Sequence, residues 1–303
     1  MPRDPASRPA RGPEIPEEVT GAELGKEIRA ELASLGKEFG REIARRLVMV
    51  GRLMDEDPDL AWQHARAARG MAGRLGVVRE AAGLAAYRAG HFAEALAELR
   101  TARRLTGSST HLPIMADCER GLGRPERALA LATSGDAAGL DAAGRTEMLI
   151  VAAGARADLG QHDVAVVMLD VPELRASVRA PWLARLRSAY ADALEGVGRV
   201  DEARRWLEAA AEVDDEGVSG AADRLAELDG FVIVDLEDGS DPEDGSVPED
   251  GSVPEDGPAA DESPGPEQRP GERSVEPSAV AASAVGPTFL ADTGAVGHGG
   301  GAA

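Results

Sequence analysis

The stretch Ala82-Gly-Leu-Ala-Ala-Tyr-Arg-Ala-Gly-His-Phe-Ala-Glu-Ala-Leu-Ala-Glu-Leu-Arg-Thr-Ala-Arg-Arg-Leu105 decides how this chain folds. Gly83 and Ala86 give its first half a face of small residues, and Gly90 and His91 supply a turn. Ala95, Leu99 and Ala102 then follow at spacings of four and three. Residues so spaced share one face of an α-helix, and side chains this small let another helix approach closely. The stretch therefore predicts a helical hairpin packed backbone to backbone. One such hairpin cannot bury its own apolar face, so further copies are required.

The copies are present. A glycine stands five residues ahead of an alanine at Gly90 and Ala95, Gly123 and Ala128, Gly160 and Ala165, and Gly198 and Ala203. In a fifth copy, ahead of Ala61, Glu56 takes the glycine's place and Asp57-Pro58 makes the turn. Ala61, Ala95, Ala128, Ala165 and Ala203 lie 34, 33, 37 and 38 residues apart. A small residue also recurs on each first helix, as Gly83, Ala116, Ala153 and Ala191. With this period and these second-helix positions, the chain resembles the tetratricopeptide repeat family over residues 41–229. Ala95 with Leu99 and Ala102, and Ala203 with Leu207 and Ala210, carry the resemblance. The first helices depart from it, with Arg79, Ala82, Gly83 and Ala86 where the family favours Trp, Leu, Gly and Tyr. The run Leu112 to Ala128 is also similar to actinobacterial repeat proteins of no known activity. The resemblance implies an all-α fold, a TPR-like α-solenoid of about five helical hairpins.

Composition agrees with helices. Aromatic residues make up only 3% of the 303, and alanine, glycine and leucine do the filling, which suits close helix stacking. The formal charge of −21 is uneven, −14 of it lying from Asp235 onward. A nucleic-acid partner is not expected, because the repeat region is itself mildly acidic. Cys118, the one cysteine, reads as packing, and a chain without a disulfide framework fits a cytoplasmic location. No run of residues has the length and apolarity of a membrane span, and residues 1–19 lack a signal core.

In chain order, residues 1–19 read as disordered and 20–40 as an N-terminal capping helix. Thr20 and Glu23 form a capping box ahead of Leu24, Ile28, Leu32 and Leu35, which predicts a helix from Gly21. Phe39, Ile43, Leu47 and Val50 carry the stripe into the first hairpin. Second helices are expected near Asp59, Ala93, Glu126, Asp163 and Asp201, with acidic residues in their first turns. Ser134 to Gly144 forms a long connector, and Pro172 and Pro181 break the next junction. Ala222, Leu225, Ala226 and Leu228 form a closing helix before Gly230. Phe231 to Asp238 reads either as a strap on the last hairpin or as a strand for a partner's sheet edge. From Gly239 to Ala303 the Pro-Glu-Asp-Gly-Ser-Val repeats predict a disordered acidic tail.

The residues offer no catalytic set. Gly21-Ala-Glu-Leu-Gly-Lys26 is one residue short of a phosphate loop. His91 and His162 recur at turns, and no histidine spacing suits a metal, so neither cofactor nor metal is expected. The expected function is a non-catalytic scaffold or adaptor for a protein or peptide partner. The alternative is a regulatory sensor that switches a partner, with the tail as an autoinhibitory shield. In the resembled family first helices line a concave groove, which implies Arg46, Glu80, Tyr87, Arg88, Asp117, Arg120, Asp192 and Glu195 as its lining. The family's chaperone-tail clamp uses Lys and Asn at such places, and this chain has neither there. Between Trp62 and Ser109 eight arginines face three glutamates, a belt on which the tail either folds or exerts no more than a solubilising charge.

Overall fold

The computed structural model describes residues 12–229, and among them every regular element is helical. The α-helices are α1 (Lys26–Ala33), α2 (Lys37–Leu53), α3 (Pro58–Ala72), α4 (Gly76–Arg88), α5 (Phe92–Thr106) and α6 (Leu112–Gly121). They continue as α7 (Pro125–Ala132), α8 (Ala142–Asp158), α9 (His162–Leu169), α10 (Pro181–Gly196), α11 (Val200–Ala211) and α12 (Ala221–Leu228). The second helices α3, α5, α7, α9 and α11 each begin one residue ahead of the position expected from sequence.

The recurring glycines share one backbone geometry. Gly90, Gly123, Gly160 and Gly198 all have left-handed φ, between 68° and 78°. In each, the glycine N–H donates three residues back and the next N–H donates five back. At Gly90 the acceptors are the Tyr87 and Ala86 carbonyls, and at Gly160 they are those of Ala157 and Arg156. This pair of hydrogen bonds closes the end of a helix and turns the chain, and glycine adopts the required φ without the Cβ clash of other residues. Ahead of α3, where no glycine stands, Asp57 accepts from the Leu60 N–H at 2.9 Å and Pro58 opens the helix.

The alanines that follow are in the interior. Ala61, Ala95, Ala128, Ala165 and Ala203 are each at most 1% exposed. Among their first-helix counterparts is Gly83, where a Cβ would stand 2.6 Å from Leu99 Cγ. Consecutive helices pack on one another along the chain, and the first helices also meet, α2 with α4, α6 with α8 and α8 with α10. The buried apolar side chains form two clusters that meet at α8. Val151 and Ala155 belong to the N-terminal cluster, while Ile150 and Ala153 belong to the C-terminal one.

The N-terminal region differs from its reading. Residues 12–19 are tied to the fold: Arg45 Nε donates to the Val19 carbonyl at 2.6 Å and its Nη2 to that of Pro16 at 2.8 Å. Val19 is fully buried. Disorder therefore does not describe these residues, because an arginine of α2 bonds backbone carbonyls in a segment with no helix or sheet of its own. The first eleven residues lie outside the described range. Thr20 and Glu23 do bond to each other, yet Gly21 has φ 86° and the helix starts only at Lys26. Gly36, at φ 95°, separates α1 from α2.

The connector after α7 contains a 3-10 turn at Ala137–Gly139, and Asp141 caps α8 through the Gly144 N–H at 2.7 Å. After α9, Pro172–Arg175 forms another 3-10 turn that buries Leu174 completely. Arg187 pins that turn to α11 by donating to the carbonyls of Leu174, Ala176 and Ala209. Phe231 to Asp238 and the acidic tail lie outside the described residues.

Candidate functional site

Counting back from each turn glycine brings the first helices into register. Three residues before it stand Tyr87, Arg120, Ala157 and Glu195, and six before it stand Leu84, Asp117, Gly154 and Asp192. The structure links the former position of one hairpin to the latter position of the next. The Tyr87 hydroxyl donates to Asp117 Oδ2 at 2.5 Å. One hairpin on, the Arg120 guanidinium lies over Gly154, where a Cβ would come 2.5 Å from Arg120 Cζ. Arg120 also donates from Nη1 to Asp117 Oδ1 at 2.9 Å, and from Nε and Nη2 to the two Asp158 oxygens at 2.8 and 3.1 Å.

Burial sets the electrostatics of this chain of contacts. It pushes the Tyr87 hydroxyl well above its ordinary range, and the neighbouring Asp117 charge adds to that. Burial likewise raises the Asp117 carboxyl, against the opposing pull of Arg120 and the Tyr87 hydrogen bond. For Arg120 burial acts downward, but the carboxylates of Asp158 and Asp117 outweigh it and hold the group above its usual value.

On α8 both register positions are small, and a pocket opens. Gly154 and Ala157 on α8 face Asp192 on α10 across a space of about 180 Å³. Ala153, Ala165, Leu169, Ala189 and Ala193 form its apolar surface, Ile150 adds to one side, and Arg120, His162 and Asp192 supply its polar edge. His162 is the first residue of α9, the place that Phe92 takes in α5, whereas His91 precedes its helix as the N-cap. The two histidines are thus not equivalent, contrary to the expectation from their turns. A Cβ on Gly196 would stand 3.0 Å from His162 Nδ1, just as one on Gly121 would stand 2.5 Å from the Phe92 ring.

The eight residues implied as groove lining fall into three groups, with Asp192 in two of them. Arg120 and Asp192 border the pocket. Arg46, Tyr87 and Asp117 are 6%, 2% and 2% exposed, so their polar groups face neighbours and not a ligand. Arg46 pairs with Glu42 at 2.9 Å and donates to the Pro13 carbonyl, which makes it a clamp for the N-terminal segment. Glu80 approaches His111 Nε2 at 3.1 Å, Arg88 pairs with Asp55, and both Asp192 and Glu195 pair with Arg224 of α12.

The chain matches no protein-family model and no curated protein sequence. Sequence reasoning missed the pocket, although Gly154 and Ala157 are the one register pair in which both residues are small. It also missed Arg224, which the spacing of α12 does not single out.

The arginine belt is largely engaged within the body. Arg69 and Arg79 share Glu98 at 2.6 Å each, Arg100 meets Glu119 at 2.7 Å, and Arg88 and Arg103 pair with Asp55 and Asp136. Arg66 lies 5.9 Å from the Trp62 ring centroid. Cys118 is fully buried, and burial together with Asp117 and Glu119 pushes its thiol up, away from the reactive thiolate. Among the described residues no group of three His, Cys, Asp or Glu side chains is placed to hold a metal ion, and no helix is long and apolar enough to cross a membrane.

Proposed function

We propose that the chain is a non-catalytic scaffold or adaptor, a tetratricopeptide-like α-solenoid whose first-helix wall holds a peptide or helix of a partner protein. One observation carries the reading. Four turns of identical geometry set successive hairpins in register, and on the wall formed by α6, α8 and α10 that register leaves a pocket of small apolar side chains. A cleft with apolar walls and a few placed charges suits recognition of a side chain. The arginine belt supports this reading over a tail-shielded sensor, because five of its eight arginines already have carboxylate partners in the body.

Panning a phage-displayed library of random dodecapeptides on the full chain tests the proposal. Ala157→Phe fills the pocket from a half-buried position and serves as the counter-screen. Enriched peptides should bind the variant at least about tenfold more weakly, the scale of losing one well-packed contact. Absence of any enriched family, or equal binding to both proteins, would overturn the reading.

A further inference from the structure

Resting on the groove reading, we infer that the side chain the pocket takes is cationic: one lysine or arginine of a partner peptide, its stem over the alanine surface and its head group beside Asp192. The space of about 180 Å³ is of side-chain size; an apolar cavity of roughly 150 Å³ accommodates a benzene ring. Ala153, Ala157, Ala189 and Ala193 offer methyl groups and no hydrogen-bonding side chains. Long cationic side chains lay an aliphatic stem along such a surface and keep the charge at its polar edge.

The charges at that edge favour a cation. Of the charged residues, Arg120 and Asp192 border the pocket; Arg120 is paired with Asp117 and Asp158, whereas Asp192 and Glu195 share the one guanidinium of Arg224. Arg120 donates from all three of its nitrogens to Asp117 and Asp158, so its charge is already matched. Arg224 is divided between Asp192 and Glu195, and Glu195 Oε1 is buried with no hydrogen-bond partner. Asp192 shares its cation and is 44% exposed at the rim, so it can accept a further donor. The same surplus of carboxylate repels acidic side chains, which are 16 of the 18 Asp, Glu, Lys and Arg residues from Asp235 onward.

The test uses the full chain and fluorescein-labelled dodecapeptide mixtures, random except for one central residue fixed as Arg, Lys, citrulline, Leu or Glu. Anisotropy is read for the wild type and for Ala157→Phe, Asp192→Asn and Glu195→Gln. The Arg and Lys mixtures should bind at least about tenfold tighter than citrulline, the scale of one hydrogen bond to a charged group. Asp192→Asn should remove most of that difference, Glu195→Gln should reduce it, and Ala157→Phe should abolish it. Because the chain carries −21, loss of one charge would not shift a non-specific attraction by that factor. Tightest binding by the Leu or Glu mixture, or an Arg-to-citrulline ratio unchanged in Asp192→Asn, overturns the cationic assignment while the groove reading stands. Failure of every mixture to bind overturns both.

Discussion

Replacing Gly83 by alanine, beside the same change at Gly70, isolates the close approach on which each hairpin rests. Both glycines lie in helices, where alanine is favoured over glycine by about 0.8–1 kcal/mol. Around Gly70 a new Cβ meets nothing within 4 Å, so Gly70→Ala should stabilise by about that amount. At Gly83 the Cβ would stand 2.6 Å from both Cγ and Cδ2 of Leu99 and 3.2 Å from the Leu99 backbone nitrogen. The leucine can rotate away only inside an interior where it is 1% exposed, and the backbone atom cannot rotate at all. Overpacking of this kind costs roughly 1–3 kcal/mol, which offsets or exceeds the helical gain. Urea unfolding followed by circular dichroism at 222 nm, with the m-value held constant, reads both midpoints. The Gly70→Ala midpoint should rise and the Gly83→Ala midpoint should stay level or fall. A rise in Gly83→Ala equal to that in Gly70→Ala would refute the packing argument.

Three other changes should follow the same physics. Gly160→Ala forces an alanine into φ 74° and should cost about 1 kcal/mol, while Gly135→Ala, in a loop without positive φ, should leave the urea midpoint unchanged. His64 is fully buried, and burial with the nearby Arg46 charge holds its imidazole down to about 4, Glu42 opposing. The unfolded chain binds the proton near pH 6.5, so between there and pH 4 the unfolded state holds more protons and stability falls as the solution is acidified. The ceiling is about 3 kcal/mol, and His64→Leu should flatten the pH dependence of the midpoint. Arg185 and Glu147 meet at 2.7 Å with side chains only 4% and 6% exposed, so Glu147→Leu alone should cost about 3–5 kcal/mol by stranding the guanidinium. Adding Arg185→Met should recover most of that loss in the same denaturation assay.

The hairpin boundaries were legible because they are written in local chemistry. A glycine that must take positive φ, or an Asp-Pro that caps and opens a helix, marks its position without reference to the rest of the chain. The contacts between hairpins were not legible in that way. Tyr87 meets Asp117 across 30 residues and Arg120 meets Asp158 across 38, so each depends on a register that unequal repeat intervals obscure. Aligning first helices on their turn glycines recovers that register, and with it the small pair at Gly154 and Ala157. Arg46, Tyr87 and Asp117 were placed on a surface because polar residues usually belong there, but each is buried and bonded to a neighbour in the fold. Residues 12–19 escaped for the opposite reason: their stability comes from Arg45 in another element, and their own composition gives no sign of it.

Because α8 contributes Val151 and Ala155 to one apolar cluster and Ile150 and Ala153 to the other, neither half of the fold has a clean edge there. Melting either side alone would strip that helix of half its neighbours and wet the side chains it had kept dry. Loss of order is therefore expected to travel inward from the termini, and amide protons in α8 should be among the last to exchange with solvent.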